Sequence, residues 1–194
     1  MNDFNLYFTT GWQHIISKDA ADHILFIIAL SAIYLLKNWK QVLILVTAFT
    51  VGHSLTLALS VYDIIRIDEQ WVGFLIPCTI MATAIFNLFQ KKFDDNALRI
   101  NYFLALFFGL IHGMGFANAI RFMLAKDQQI AIPLISFNIG LEIGQITIVA
   151  IILFLSYLVV NRWFFKRKWW VNGLSAITLV IAFWFALHRI PYMN

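Results

Sequence analysis

The stretch GWQHIISKDAADHILF, residues 11–26, sets His14, Asp22 and His23 at the doorway of a long apolar run. Two imidazoles and a carboxylate beside hydrocarbon are the groups that hold a cation. Further along, His53 stands in FTVGHSLTLAL, His112 in GLIHGMGFA and Glu142 in NIGLEIGQ, each within an apolar segment. An ionisable group inside a bilayer costs on the order of 3 kcal/mol, so those that occur there tend to line a site or a pathway. No Lys or Arg lies among Asp22, His23, His53, His112 and Glu142 to form a plain salt bridge. Two carboxylates and three imidazoles left uncompensated in low dielectric are what a divalent ion would neutralise.

The neighbours fit a metal site. Asn138, Glu142 and Gln145 recur at i, i+4 and i+7 and draw one polar stripe on a helix. Thr50 and Ser54 flank His53. Their hydroxyls could fix an imidazole tautomer as outer partners of the site, or equally satisfy backbone carbonyls. Gly109, Gly113 and Gly115 allow a partner backbone to approach His112 closely. Plainer readings stand beside these: one buried histidine bridging two helices, a hydrogen-bonded acid at Glu142, and Asp22 as a helix cap. His188, beside Arg189, reads as an interfacial residue solvated at an exit.

The elements that must position these groups are membrane helices. Of 194 residues, 61% are hydrophobic and 12% charged, against about 25% charged in an ordinary soluble domain. Crossing a bilayer takes about 20 apolar residues. Six stretches qualify: Ala20–Leu36, Gln41–Tyr62, Trp71–Gln90, Asn101–Met123, Ile130–Val160 and Trp170–His188. The expectation is an all-α polytopic bundle of six transmembrane helices forming one domain over residues 1–194. Residues 1–19 make a short N-terminal helix, interfacial or folded back on the bundle. Asp3 and the lack of an early Lys or Arg leave no cleavable signal peptide in view.

Nine basic residues (Lys37, Lys40, Lys91, Lys92, Arg99, Arg162, Lys166, Arg167 and Lys168) follow helices one, three and five. Five (Lys18, Arg66, Arg121, Lys126 and Arg189) lie on the other side. The positive-inside rule therefore puts both termini outside. His53 then lies about 18 Å and His112 about 16 Å along their helices from the cytoplasmic ends, at ~1.5 Å per residue. Asp22, His23 and Glu142 fall in the outer half. The net charge of +4 comes from these anchors and calls for no nucleic acid. Cys78, alone, excludes an internal disulfide. AFTVGHSLTLAL and LFFGLIHGMGFA each carry a central histidine beside small residues, a trace of duplication or a chance likeness.

GWQHI and DHILF, then FTVGHSLTLAL, GLIHGMGFA and NIGLEIGQ, resemble the HupE/UreJ family of small bacterial membrane proteins, in particular its second branch. The resemblance runs through nearly the whole chain in order. It implies a multi-pass protein of the bacterial inner membrane that handles a metal, usually described as a nickel permease, with His14, Asp22, His23 and His112 on the motifs concerned. The spacing departs from the hydrogenase-linked branch: seven residues separate His14 from Asp22, and Ala119 stands where that branch has an acid, leaving Glu142 to supply it.

Three functions follow. The first is a permease for nickel, cobalt or zinc, with His14, Asp22 and His23 capturing the ion and His53, His112 and Glu142 holding it deeper. Its weakness is an inner half without a second polar set. The second is an intramembrane hydrolase using a metal-bound water, with Glu142 as base, although no HExxH pair is present. The third is an accessory membrane subunit. Homo-oligomerisation is open on sequence grounds.

Overall fold

The computed structural model describes residues 3–17, 21–90, 95–116, 120 and 130–192, without the side chains of residues 3 and 95–99. Lys18, Lys91, Lys92, Ala119, Arg121, Lys126, the Arg99 side chain and the end of the fourth predicted segment lie outside that description. No strand occurs among the described residues. The helices are α1 (Asp3–Ile16), α2 (Ala21–Ser31), α3 (Trp39–Val61), α4 (Glu69–Phe89), α5 (Asp95–Gly115), α6 (Ala131–Ser156) and α7 (Arg167–His188). A 3₁₀ turn, Leu36–Asn38, leads into α3, and a wider π-helical turn, Tyr157–Arg162, extends α6.

Among the described residues four helical spans are long and apolar enough to cross a membrane: Leu36–Val61, Glu69–Phe89, Ala131–Arg162 and Arg167–His188. Their outward faces carry Val51, Leu55, Ile135, Phe154, Ile177, Val180 and Phe183, all exposed, as a surface bathed in lipid requires. The expected first crossing, Ala20–Leu36, is not one helix. The 11 residues of α2 rise only about 16 Å, half of a hydrocarbon core. Past Ser31 the backbone departs from helix and long side chains take up its carbonyls. Asn87 donates to Ala29 O at 2.6 Å, and the Arg167 guanidinium donates to Ile33 O.

The N-terminal helix is folded back. α1 packs lengthwise and parallel on α6, with Phe8 at Gly140, Gly11 at Phe137 and Ile15 at Gly144, so it ends halfway along its partner. α3 and α5 are likewise parallel, with Gly52 on Leu106 and Gly109 on Phe49. Only glycine permits such contact. α4 starts from Asp68, whose carboxylate caps Gln70 N at 2.8 Å. It runs antiparallel to α7, where the Tyr192 hydroxyl donates to Asp68 at 2.9 Å. Between these pairs lies the core, with Phe26, Phe49, Ile80, Phe137 and Leu141 buried.

Candidate metal centre

Three helices deliver one imidazole each to a single point. His14 comes from the last turn of α1, His23 from the first turn of α2 and His53 from the middle of α3. One ring nitrogen of each lies within 4.8 Å of the others. Ring centroids stand 4.6 Å apart for His14 and His23, 5.9 Å for His14 and His53, and 6.2 Å for His23 and His53. Bonds of about 2.0–2.1 Å to a shared ion need only modest closure from there. His112 joins from α5, 5.1 Å from His23, with its Nε2 3.3 Å from the Thr79 hydroxyl.

The nitrogens are unpartnered. His14 Nε2, His23 Nε2, His112 Nδ1 and both nitrogens of His53 are buried without a hydrogen bond. Each such group costs about 1–3 kcal/mol when left unpaired, so five together favour a bound occupant. A cation taking nitrogen lone pairs fits the donor set, because imidazole suits nickel, cobalt and zinc alike. Aromatic rings pack against the cluster. Phe116 lies 4.0 Å from His14, Phe137 stacks on His53 at 6.3 Å, and Phe26 lies 5.2 Å from His112.

A cavity of about 490 Å³ leads to the cluster, lined by Thr10, Gln13, His14, Ser17, Asp22, His23, Ile76, His112, Gly115 and Phe116. His53 stands behind its floor. Asp22 corrects the expectation of uncompensated acids: Arg189 Nη1, from the end of α7, donates to its Oδ2 at 2.6 Å. The other oxygen, Oδ1, is buried and unpartnered beside the cavity.

The remaining expected residues lie elsewhere. Glu142 is not brought into the histidine group; its Oε1 accepts from Thr47 at 2.7 Å. Thr50 donates to Gln145 Oε1 at 2.9 Å, and Ser54 donates to Thr50 O at 2.6 Å, so neither hydroxyl touches an imidazole. Asn138 Oδ1 is buried without a partner. His188 is exposed, with Nδ1 2.9 Å from Trp184 O. Sequence reasoning missed Thr79, Arg189, Thr47 and Phe116 as neighbours of the expected residues. All four meet their partners across helices, and no local spacing signals such contact.

Among the described residues the structure is all-helical, with four helices long and apolar enough to cross a membrane and three histidines placed so that they could hold a metal ion. Its family is established by the sequence match: the chain belongs to the HupE / UreJ protein family, matched over residues 1–189. No curated protein and no solved structure matches it.

Proposed function

We propose that this protein is a permease for a divalent first-row metal ion (nickel, cobalt or zinc) in a bacterial inner membrane. Both termini lie outside, and six crossings form one domain over residues 1–194. α1 and α2 share the first crossing, each covering half the depth and breaking near the histidines. Irregular backbone at membrane depth is tolerated where it lines a cavity, and broken helices of this kind mark transport sites. The observation that carries the reading is the set of unpartnered nitrogens from His14, His23, His53 and His112 beneath an open cavity.

The ion is the cargo. Asp22 draws it into the cavity, and His14, His23 and His53 bind it with His112 alongside. Between α3 and α6 Thr50 bonds Gln145, and the exposed Thr47 bonds Glu142. Glu142 serves there as a relay for the departing ion.

A second reading has one observation in its favour. Three imidazoles leave a fourth coordination position facing a cavity, the arrangement a hydrolytic zinc centre uses for its water. Metal uptake by cells expressing the protein separates the two. The permease raises uptake, and a His23→Ala, His53→Ala variant does not. Uptake equal in both, with stoichiometric metal on the purified protein, would instead favour the hydrolase.

A further inference from the structure

Two helix pairs are locked in the same manner. A Cβ on Gly11 of α1 would lie 2.0 Å from Phe137 O, and one on Gly140 of α6 2.1 Å from Phe8 O. In the other pair, a Cβ on Gly109 of α5 would lie 2.2 Å from Phe49 O, and one on Gly52 of α3 2.3 Å from Leu106 O. In each helix the glycine follows, by three residues, the carbonyl that receives the partner's glycine. The lock is symmetric within each pair, and helix order matches α1 with α5 and α6 with α3.

The residues follow the same correspondence. Gly11-Trp-Gln-His14 answers Gly109-Leu-Ile-His112, and Phe137-Asn-Ile-Gly140 answers Phe49-Thr-Val-Gly52. The next helix of each half extends it. Trp71, Val72, Leu75 and Thr79 of α4 recur at the same spacing as Trp170, Val171, Leu174 and Thr178 of α7. Both valines and both threonines are buried. The order is α1, α3, α4 in one half and α5, α6, α7 in the other, and α4 runs antiparallel to α7. The helix order, with α4 antiparallel to α7, is that of an inverted repeat, and it sets His14 and His112 at equivalent positions. In this correspondence AFTVGHSLTLAL and LFFGLIHGMGFA are the two partners of one pair.

Among the described residues α2 has no counterpart in the second half, and the matched helices differ in how they are seated. The end of α5 is seated on α4: Gly115 abuts Ile76, and His112 reaches Thr79 at 3.3 Å. The equivalent positions are Ser17 with Ser175 and His14 with Thr178. Among the described residues α1 makes no comparable packing on α7. Ser17 and His14 line the open cavity instead, and Ser175 Oγ is buried with no hydrogen-bond partner. Inverted halves can exchange such conformations, which is how transporters built this way alternate access.

We propose that the two halves swap. In the other state His14 and Ser17 seat on Thr178 and Ser175, while His112 and Gly115 leave Thr79 and Ile76. The outer cavity closes and a cytoplasmic one opens, lined by the released His112 and Gly115. This rests on the permease reading for its cargo, but the motion itself is measurable without metal.

The test uses the full chain with Cys78→Ser, carrying either Ser17→Cys with Ser175→Cys or Gly115→Cys with Ile76→Cys. Membranes are treated with a short bifunctional thiol reagent, and linked peptides are read by mass spectrometry. Both pairs are expected to link, because irreversible linking accumulates even a state populated at a few per cent. Linking of Gly115 with Ile76 but never of Ser17 with Ser175, in protein that elutes as folded, overturns the swap. Should a pair misfold, single Gly115→Cys decides: alkylation from the cytoplasmic side of inverted vesicles is expected, and complete resistance refutes the proposal. Loss of metal binding with linking intact would overturn the permease reading alone.

Discussion

Replacing Gly11 by alanine places a methyl group where α1 meets α6. That carbon would sit 2.0 Å from Phe137 O, 2.9 Å from Phe137 C and 3.0 Å from Leu141 N, all of them backbone atoms in the middle of a helix. None can rotate away. The helices must therefore part by at least about 1 Å, and overpacking of this kind costs about 1–3 kcal/mol. For a domain of this size each kcal/mol lowers Tm by about 2–4 °C, so a central 2 kcal/mol gives a drop of about 4–8 °C. His14 stands three residues on and moves with α1, whereas metal ligands tolerate only about ±0.2 Å. Metal retained after purification should fall along with stability. Gly73→Ala is the matched control, since a Cβ there meets nothing within 4 Å. In a helix it should be neutral or stabilising by up to about 1 kcal/mol. The assay is thermal unfolding in detergent followed by tryptophan fluorescence, with metal content by mass spectrometry. Equal melting of Gly11→Ala and Gly73→Ala would refute the close packing of α1 on α6.

His53→Ala removes a ligand with two unpartnered nitrogens, and metal affinity should drop by about two orders of magnitude or more, since even outer partners of ligands contribute about 10–100-fold; titration calorimetry checks this. Glu142→Gln should leave equilibrium binding at the histidines within a few-fold while slowing uptake, because the carboxylate bonds Thr47 rather than the cluster; collapse of binding would return Glu142 to the ligand set. Arg189→Gln frees Asp22 and removes a cation from the cavity's edge. Cation binding should strengthen several-fold, more at low salt where screening is weak, and unchanged binding across ionic strengths would count against Asp22 as the entry group. Protons compete with the metal for the imidazole lone pairs, so affinity should fall once the pH is low enough to protonate the rings; an affinity unchanged down to the acid limit of folding would contradict imidazole ligation.

Periodicity and composition made the long helices readable, with α4 and α7 within three residues of their predicted starts. α2 escaped them because hydropathy continues through Ala32, Ile33 and Tyr34 after the helix has stopped. Its end is set by Asn87 and Arg167, which are far away in the chain. The fold-back of α1 was one of two placements its apolar, aromatic composition allowed. The choice rests on Gly11, Gly140 and Gly144 meeting across helices.

Residue chemistry alone picked out the histidines, since an imidazole in hydrocarbon calls for a partner wherever it lies. Sequence determined that the chain is a helical membrane protein of its family, and it singled out His14, His23, His53 and His112 as candidates. Which groups share one point was decided only by the tertiary structure. Glu142 sits on the expected polar stripe, yet it bonds Thr47 because the α3/α6 seam brings that hydroxyl to it. Asp22 was expected to be uncompensated, yet Arg189 meets it because α7 returns the end of the chain to the start of α2. Charge and hydropathy are local properties of a sequence; convergence of side chains depends on how closely helices approach, and here glycines on four helices set that distance.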